Sequence, residues 1–265
     1  MKTASTTTSA PLRWGLAWAL AATVVVTALA VGSGGWDWGL IVTLRAPRVL
    51  AAAGVGALLA LSRLVMQVLL RNPLADPYVL GISGGAAVGA LLAILAGAAA
   101  MVAPAAYAGA LLSTAIVFTL AGGRDAPGST RLLLTGVVVA AGWGALIAMI
   151  LSLAPSAQVK GMLFWLLGDL SGAADPRPTL VALLVALAFA WALARNLNRL
   201  ARGADHAAAL GVNVGRVALV AHGVAAFAAA AAVTQAGSVG FVGLIVPHAL
   251  RLALGNDQRL LLPAA

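Results

Sequence analysis

Cysteine is missing from all 265 residues, which excludes disulfides and thiolate metal sites. Glutamate is missing as well: the seven acids are all Asp. Charge of either sign is scarce, at 9% of residues, where a soluble domain carries about a quarter. No Gly-x-x-x-x-Gly-Lys-Ser/Thr loop occurs, so the chain does not bind ATP in the P-loop manner. The three histidines, His206, His222 and His248, share no metal-ligand spacing. No catalytic constellation is visible, and the sequence implies neither a bound metal nor a cofactor.

What fills the chain is apolar residues. They make up 62% of it, with a mean hydropathy of +1.03. Apolar runs lie at 14–33, 48–70, 79–99, 101–121, 132–153, 178–195, 217–236 and 238–254. Several approach or exceed the roughly 20 residues that cross a bilayer core. A barrel would show short alternating strands instead. The sequence therefore predicts an all-α, polytopic transmembrane bundle of about eight spans. The first run, behind Lys2 and Arg13, reads as a retained helix rather than a cleaved signal peptide because it is long and more spans follow. Met1–Pro11 is Ser/Thr/Ala-rich and reads as a disordered tail.

The net charge of +9 reads as basic cytoplasmic loops beside anionic lipid, not as nucleic-acid binding. With the N-terminus inside, Lys2, Arg13, Arg63, Arg71, Arg124, Arg131, Arg195, Arg199, Arg202, Arg216, Arg251 and Arg259 fall on the cytoplasmic side. Arg45, Arg48, Lys160 and Arg177 fall outside, so the bias favours that orientation.

Four places break the apolar pattern. The inner link Asn196–Arg216 is too polar to span, and its Ala-rich centre, Asp205–Leu210, predicts a short helix stopped by Gly211. Such a helix offers a partner something to push, although a solvated linker reads equally well. Gln158–Gly172 on the outer side predicts an interfacial half-helix. Arg45 and Arg48 run against the inward bias; their guanidinium forks suit carboxylates of a docking protein, with lipid-headgroup anchoring as the alternative. Arg63 lies within the second run and must snorkel inward or meet a partner such as a helix C-terminus. Small residues recur every fourth position at Gly81, Gly85 and Gly89 and again at Gly136, Ala140, Gly144 and Ala148, which suits close helix packing. His222 falls inside a span, where packing and function both remain open.

Three ordered stretches carry a resemblance: Arg45–Arg48 (RAPR), Leu61–Gln67 (LSRLVMQ) and Arg71–Ala86 (RNPLADPYVLGISGGA). They are joined by Ala207–Arg216 (AAALGVNVGR), Ala236–Arg251 (AGSVGFVGLIVPHALR) and Gly255–Pro263 (GNDQRLLLP). Together they resemble the FecCD-type permeases, the membrane subunits of ABC importers for iron–siderophore complexes, haem and cobalamin.

The resemblance implies a ten-helix fold in the bacterial inner membrane. Its partners would be a second permease subunit (identical or a paralogue), two cytoplasmic ATPases that bind the ATP, and a periplasmic or lipid-anchored binding protein. It implies that Asp205, His206, Ala207, Ala208, Leu210 and Gly211 couple to the ATPase, and that Arg45 and Arg48 receive the binding protein. Gln67, Asn72, Pro73, Pro77, Gly81, Gly85, Gly240, Gly243, Pro247, His248 and Arg251 are its structural motif residues. The helix near Leu133–Leu153 and the half-helix after it would border the path. A siderophore complex is the first expectation for cargo, cobalamin or haem the next.

Two departures stand out. Arg63 occupies a position where the family usually has Gly. The chain also ends at Ala265, so the resemblance implies that the last two helices are missing from a permease domain running from residue 12, and a non-transporting remnant is a rival reading. A proton- or sodium-driven carrier would need intramembrane carboxylates, and no Asp falls clearly within a run.

Overall fold

The computed structural model describes residues 10–32, 35–121, 130–173, 175–240 and 242–265. Most of the tail read as disordered, and with it Lys2, lies outside the described residues, as does Arg124; Ala10 and Pro11 already belong to the first helix. Among the described residues the chain is helical throughout, without a strand. The helices are α1 (Ala10–Ala30), α2 (Trp38–Leu40), α3 (Ala46–Leu69), α4 (Ile82–Leu95), α5 (Val102–Leu120), α6 (Thr130–Leu153) and α7 (Ser156–Leu167). They continue with α8 (Arg177–Leu200), α9 (Ala204–Ala209), α10 (Val214–Ala236), α11 (Val242–Leu254) and α12 (Gln258–Ala264).

Five of these stretches are long and apolar enough to cross a membrane: Trp38–Leu69, Ala99–Leu120, Arg131–Leu153, Arg177–Leu200 and Val214–Ala236. Three more runs appear as shorter apolar helices, Trp18–Ala30, Ile82–Leu95 and Ile245–Leu254. The eight runs thus map onto eight apolar helices, of which five have spanning length among the described residues.

The second run starts ten residues earlier than its hydropathy suggests. Pro47 reads as a helix start because it has no N–H to give the preceding turn. Here the helix instead passes through it. One π turn, Ile41–Arg45, joins α2 to α3; π-helix is rare and occurs mostly as such single turns within α-helices. The result is a rod of 32 residues, about 48 Å long, so it tilts or projects beyond the hydrocarbon core.

The centre of the bundle is α3 against α10. The alanines of α10, among them Ala218, Ala221, Ala225, Ala229 and Ala232, are buried, as are Leu58, Leu61, Leu64 and Met66 of α3. Small side chains matter here because lipid gives helices no hydrophobic reason to associate; close backbone packing and hydrogen bonds must do it. Ser62 supplies one such bond, donating to the Ala225 carbonyl at 2.7 Å.

The glycine ladder of α4 packs on α5 in antiparallel register. Gly81 stands against Ser113, Gly85 against Gly109, and Gly89 against Ala105. A Cβ on Gly85 or Gly89 would fall well inside van der Waals contact with the opposite backbone carbonyl. Ser113 closes the end of the ladder by donating to the Leu80 carbonyl (3.1 Å) while accepting from the Trp143 indole (2.8 Å). The second ladder behaves differently. Gly136 packs tightly on Val79, but Gly144 meets nothing.

Candidate functional site

The outer arginines do different things. Arg45 sits on the π turn, which aims its side chain back at the end of α1. Its guanidinium donates to the carbonyls of Leu29 (3.0 Å), Ala30 (3.3 Å) and Gly35 (2.8 Å). The first two are carbonyls of the last turn of α1, which a helix C-terminus leaves without partners, and a cation there also favours the dipole. Three residues on, Arg48 is exposed. It lies near Asp169, at the mouth of the loop after α7. The Ser171 hydroxyl and the Ser171 amide (2.6 Å) both donate to Asp169 and hold its carboxyl below the usual range, with the charge of Arg48 adding to this. The half-helix expected at Gln158–Gly172 is α7, Ser156–Leu167.

The inner link is shorter than the sequence suggests. Asn196–Leu200 continue α8, and α10 starts at Val214, so the connection covers 201–213. Asn196 and Asn198 read as loop residues by polarity, but α8 carries them because Asn198 has partners. It donates to the Asp257 carboxylate at 2.6 Å and accepts from the Gln258 amide at 2.8 Å. Asp257 in turn caps α12 through the Arg259 amide (2.9 Å). The short helix itself is present as α9, with Asp205 in its first turn.

Gly203 (φ +125°) and Gly211 (φ +77°) bracket α9, and both angles belong to glycine. Ala207 is buried and anchors the helix, while Asp205, His206, Ala208, Leu210 and Gly211 face outward. An apolar Leu210, 52% exposed, on the tip of a charged link is a knob without a socket in this chain.

Beside the C-terminal end of α8 a cavity of about 650 Å³ brings together Gln67 from one motif stretch, Asn72 and Pro73 from a second and Arg251 from a third. Gln67 is buried and donates to the Pro73 carbonyl at 2.7 Å; the Asn72 carboxamide oxygen accepts from the Leu74 amide at 2.9 Å. The stretch RNPLADP is therefore a turn pinned to α3. Pro77 is buried at the start of a single 3₁₀ turn, Pro77–Leu80. Pro247 is buried within α11, and His248 and Gly240 are exposed.

Arg63 meets a carboxylate, not a helix C-terminus. It is 2% exposed and forms an ion pair with Asp76. The other oxygen of Asp76 caps the 3₁₀ turn by accepting from the Tyr78 amide (3.0 Å), and the Tyr78 hydroxyl donates to the Val239 carbonyl (3.1 Å). The stem of Arg63 lies directly across Gly243. One buried relay thus joins α3, the turn before α4 and the loop that opens α11. Asp76 and Tyr78 escape a sequence reading because nothing in RNPLADPY marks its acid as the partner of a residue 13 positions earlier.

His222 is packed inside the bundle, its Nε2 buried without a hydrogen-bond partner among the described residues. It is fully buried, its Nδ1 donates to the Ala218 carbonyl at 2.8 Å, and its ring stands edge-on to Phe118. The described residues contain no group of His and Asp that could hold a metal.

Residues 10–265 match the model of the FecCD transport family. The chain is 41% identical over 230 residues to the cobalamin import system permease protein BtuC of Halobacterium salinarum, covering 85% of this chain and 62% of that one. It is 39% identical over 241 residues to the hemin transport system permease protein HmuU of Yersinia pestis, covering 86% and 71%. The chain therefore spans about three fifths of the first relative's length and somewhat more of the second's. Among solved structures it is similar to an inward-facing ABC transporter proposed to be of the metal-chelate type. The TM-score is 0.86 at 28% identity, over 97% of this chain and 85% of that one.

Proposed function

The chain belongs to the FecCD transport family, and from that premise we propose that it is the permease subunit of an ATP-binding-cassette importer for a large metal chelate. The observation that carries the reading is α9. A short helix is anchored by one buried alanine between two long helices and presents Leu210 outward, which suits a lever moved by a separate ATPase. A second permease chain, two ATPases and an outer binding protein complete the assembly, and ATP is hydrolysed by the partner. The N-terminus lies in the cytoplasm: Arg71, Arg202 and Arg251 surround one cavity at the end that carries α9, as the positive-inside bias requires.

The cargo is a corrinoid or haem ahead of a siderophore complex. The names of the similar permeases, cobalamin and hemin, support that order and move it away from the siderophore first expected. Uptake tests it directly. A host lacking its own permease, supplied with the cognate ATPase and binding protein, should gain uptake of labelled cobalamin or haem when it carries this chain. Uptake of ferric siderophore alone would reverse the order, and uptake of none of the three would remove the transport role.

Coupling has its own test. Ala208→Trp adds bulk on the exposed side of α9, and Gly211→Val strains a left-handed backbone although there is room for the side chain. Either should lower transport about tenfold while ATP hydrolysis persists, a coupling loss of ordinary size. Normal transport per ATP in both variants would reduce α9 to a linker.

The outer face separates in the same way. Arg48→Glu should weaken binding-protein docking about tenfold, chiefly through a slower on-rate that salt also slows, and leave the melting temperature unchanged. Arg45→Met should instead destabilise the chain by about 1–3 kcal/mol, because its charged hydrogen bonds close α1. If Arg45→Met left stability intact and abolished docking, the two roles would be exchanged.

A further inference from the structure

The C-terminal end of α8 carries a second feature. Arg195, Arg199, Arg202 and Arg259 line a cavity of about 370 Å³ with Asn198 and Asp257, and His206 and Leu210 of the α9 link border it. None of the four guanidinium groups has an ion-pair partner among the described residues. The single acid in its lining, Asp257, accepts from Asn198 and from the Arg259 amide and stays a carboxylate that feels the charge of Arg259, so four guanidinium groups face one carboxylate. The cavity is therefore strongly positive, and it sits at the C-terminal end of α8.

This basic cavity adjoins an apolar groove. A groove of about 500 Å³ shares Arg195 and Arg259 with it and is otherwise lined by Trp191, Ala192 and Ala194. Trp191 is 60% exposed and stands one turn above Arg195 on the same helix face. Farther from the arginines that face continues apolar and exposed through Ala188 and Leu184. A site that is cationic at the inner interface and apolar toward the membrane centre matches one kind of molecule. Its charged end must be an anion and its other end a hydrocarbon chain.

We propose that the inner end of α8 binds an anionic phospholipid of the cytoplasmic leaflet, its phosphate among Arg195, Arg199, Arg202 and Arg259 and one acyl chain along Trp191. Arginine forks suit phosphate oxygens, and their stems can lie along apolar surface. Basic pockets between helices on the cytoplasmic side are known headgroup sites in general. An acidic face of the ATPase could meet the same arginines from below, but it would leave the groove along Trp191 unfilled. The inference rests on the chain being membrane-embedded and not on what it carries.

The test needs neither cargo nor ATP, so its failure is distinct from a failure of transport. The full chain, purified in detergent, is titrated with phosphatidylglycerol or phosphatidylcholine and read by native mass spectrometry. One phosphatidylglycerol should be retained selectively. Arg195→Gln with Arg259→Gln should weaken that retention about 30-fold, as expected for the loss of two near-surface cations. Phosphatidylglycerol with brominated acyl chains should quench tryptophan emission, and part of the quench should vanish in Trp191→Phe. Equal retention of both lipids, an unaffected double variant or a quench that does not involve Trp191 would each overturn the site. Full displacement by inorganic phosphate would also overturn it, since the site would then hold a free anion. So would a double variant that loses ATPase binding while keeping the lipid.

Discussion

Gly85→Leu is expected to abolish the folded bundle. Gly85 and Gly109 meet backbone to backbone, so any side chain at 85 must push α4 away from α5. α4 then cannot dock, and the Ser113 bond to Leu80 and the Trp143 bond to Ser113 go with it. Even Gly85→Ala should cost about 1–3 kcal/mol by overpacking, a large share of a marginal stability. Gly144→Ala is the control. Nothing lies within reach of its new methyl, and helix propensity favours Ala over Gly by about 1 kcal/mol, so this variant should be neutral or slightly stabilised. Melting temperatures in detergent, followed by size-exclusion chromatography, decide the matter. If Gly85→Ala and Gly144→Ala melt alike, the α4–α5 ladder does not hold the bundle together.

That pair of substitutions also marks how far the sequence could be read. Both four-residue ladders have the same period, and the period says only that small residues share a helix face. Whether another backbone covers the face depends on a distant segment, so Gly81–Gly89 proved a buried seam and Gly144 open surface. The all-helical class was legible because 62% apolar composition leaves few alternatives, and the positions of the eight apolar runs followed directly. Their lengths did not follow. Hydropathy stops at a polar residue, whereas α8 runs on through Asn198, which is satisfied by Asp257 and Gln258 from 60 residues away. At the other end of the molecule, Arg45 and Arg48 look equivalent in RAPR. The π turn makes one of them a cap for α1 and leaves the other exposed. Three residues, a little under one helical turn, separate those fates, and composition does not encode it.

Asp76→Asn should be the most damaging conservative change in the chain. It keeps the shape of the side chain and an oxygen for the Tyr78 amide, but it removes the one counter-charge that, among the described residues, pairs with a guanidinium that is 2% exposed. Breaking a buried pair from one side costs about 3–5 kcal/mol, because the remaining charge is stranded. Arg63→Met strands Asp76 instead, which is 24% exposed and can draw on water, so it should cost less. Joining the two changes removes both charges, and the double variant should be more stable than Asp76→Asn alone. That order, with the double variant above the worse single, is the signature of a pair and not of two independent contacts.

A third position extends the cycle. The Arg63 stem occupies the space a Cβ on Gly243 would need, so Gly243→Ala should be poorly tolerated beside Arg63 and well tolerated beside Arg63→Gly. Because Tyr78 and Gly243 tie the same relay to the loop that opens α11, loosening it should also free that loop, seen as faster amide exchange over 237–243 in Asp76→Asn than in the double variant. Strictly additive stabilities for Arg63→Met and Asp76→Asn would show that the two side chains meet without holding anything, and Gly243 would then owe its identity to some other neighbour.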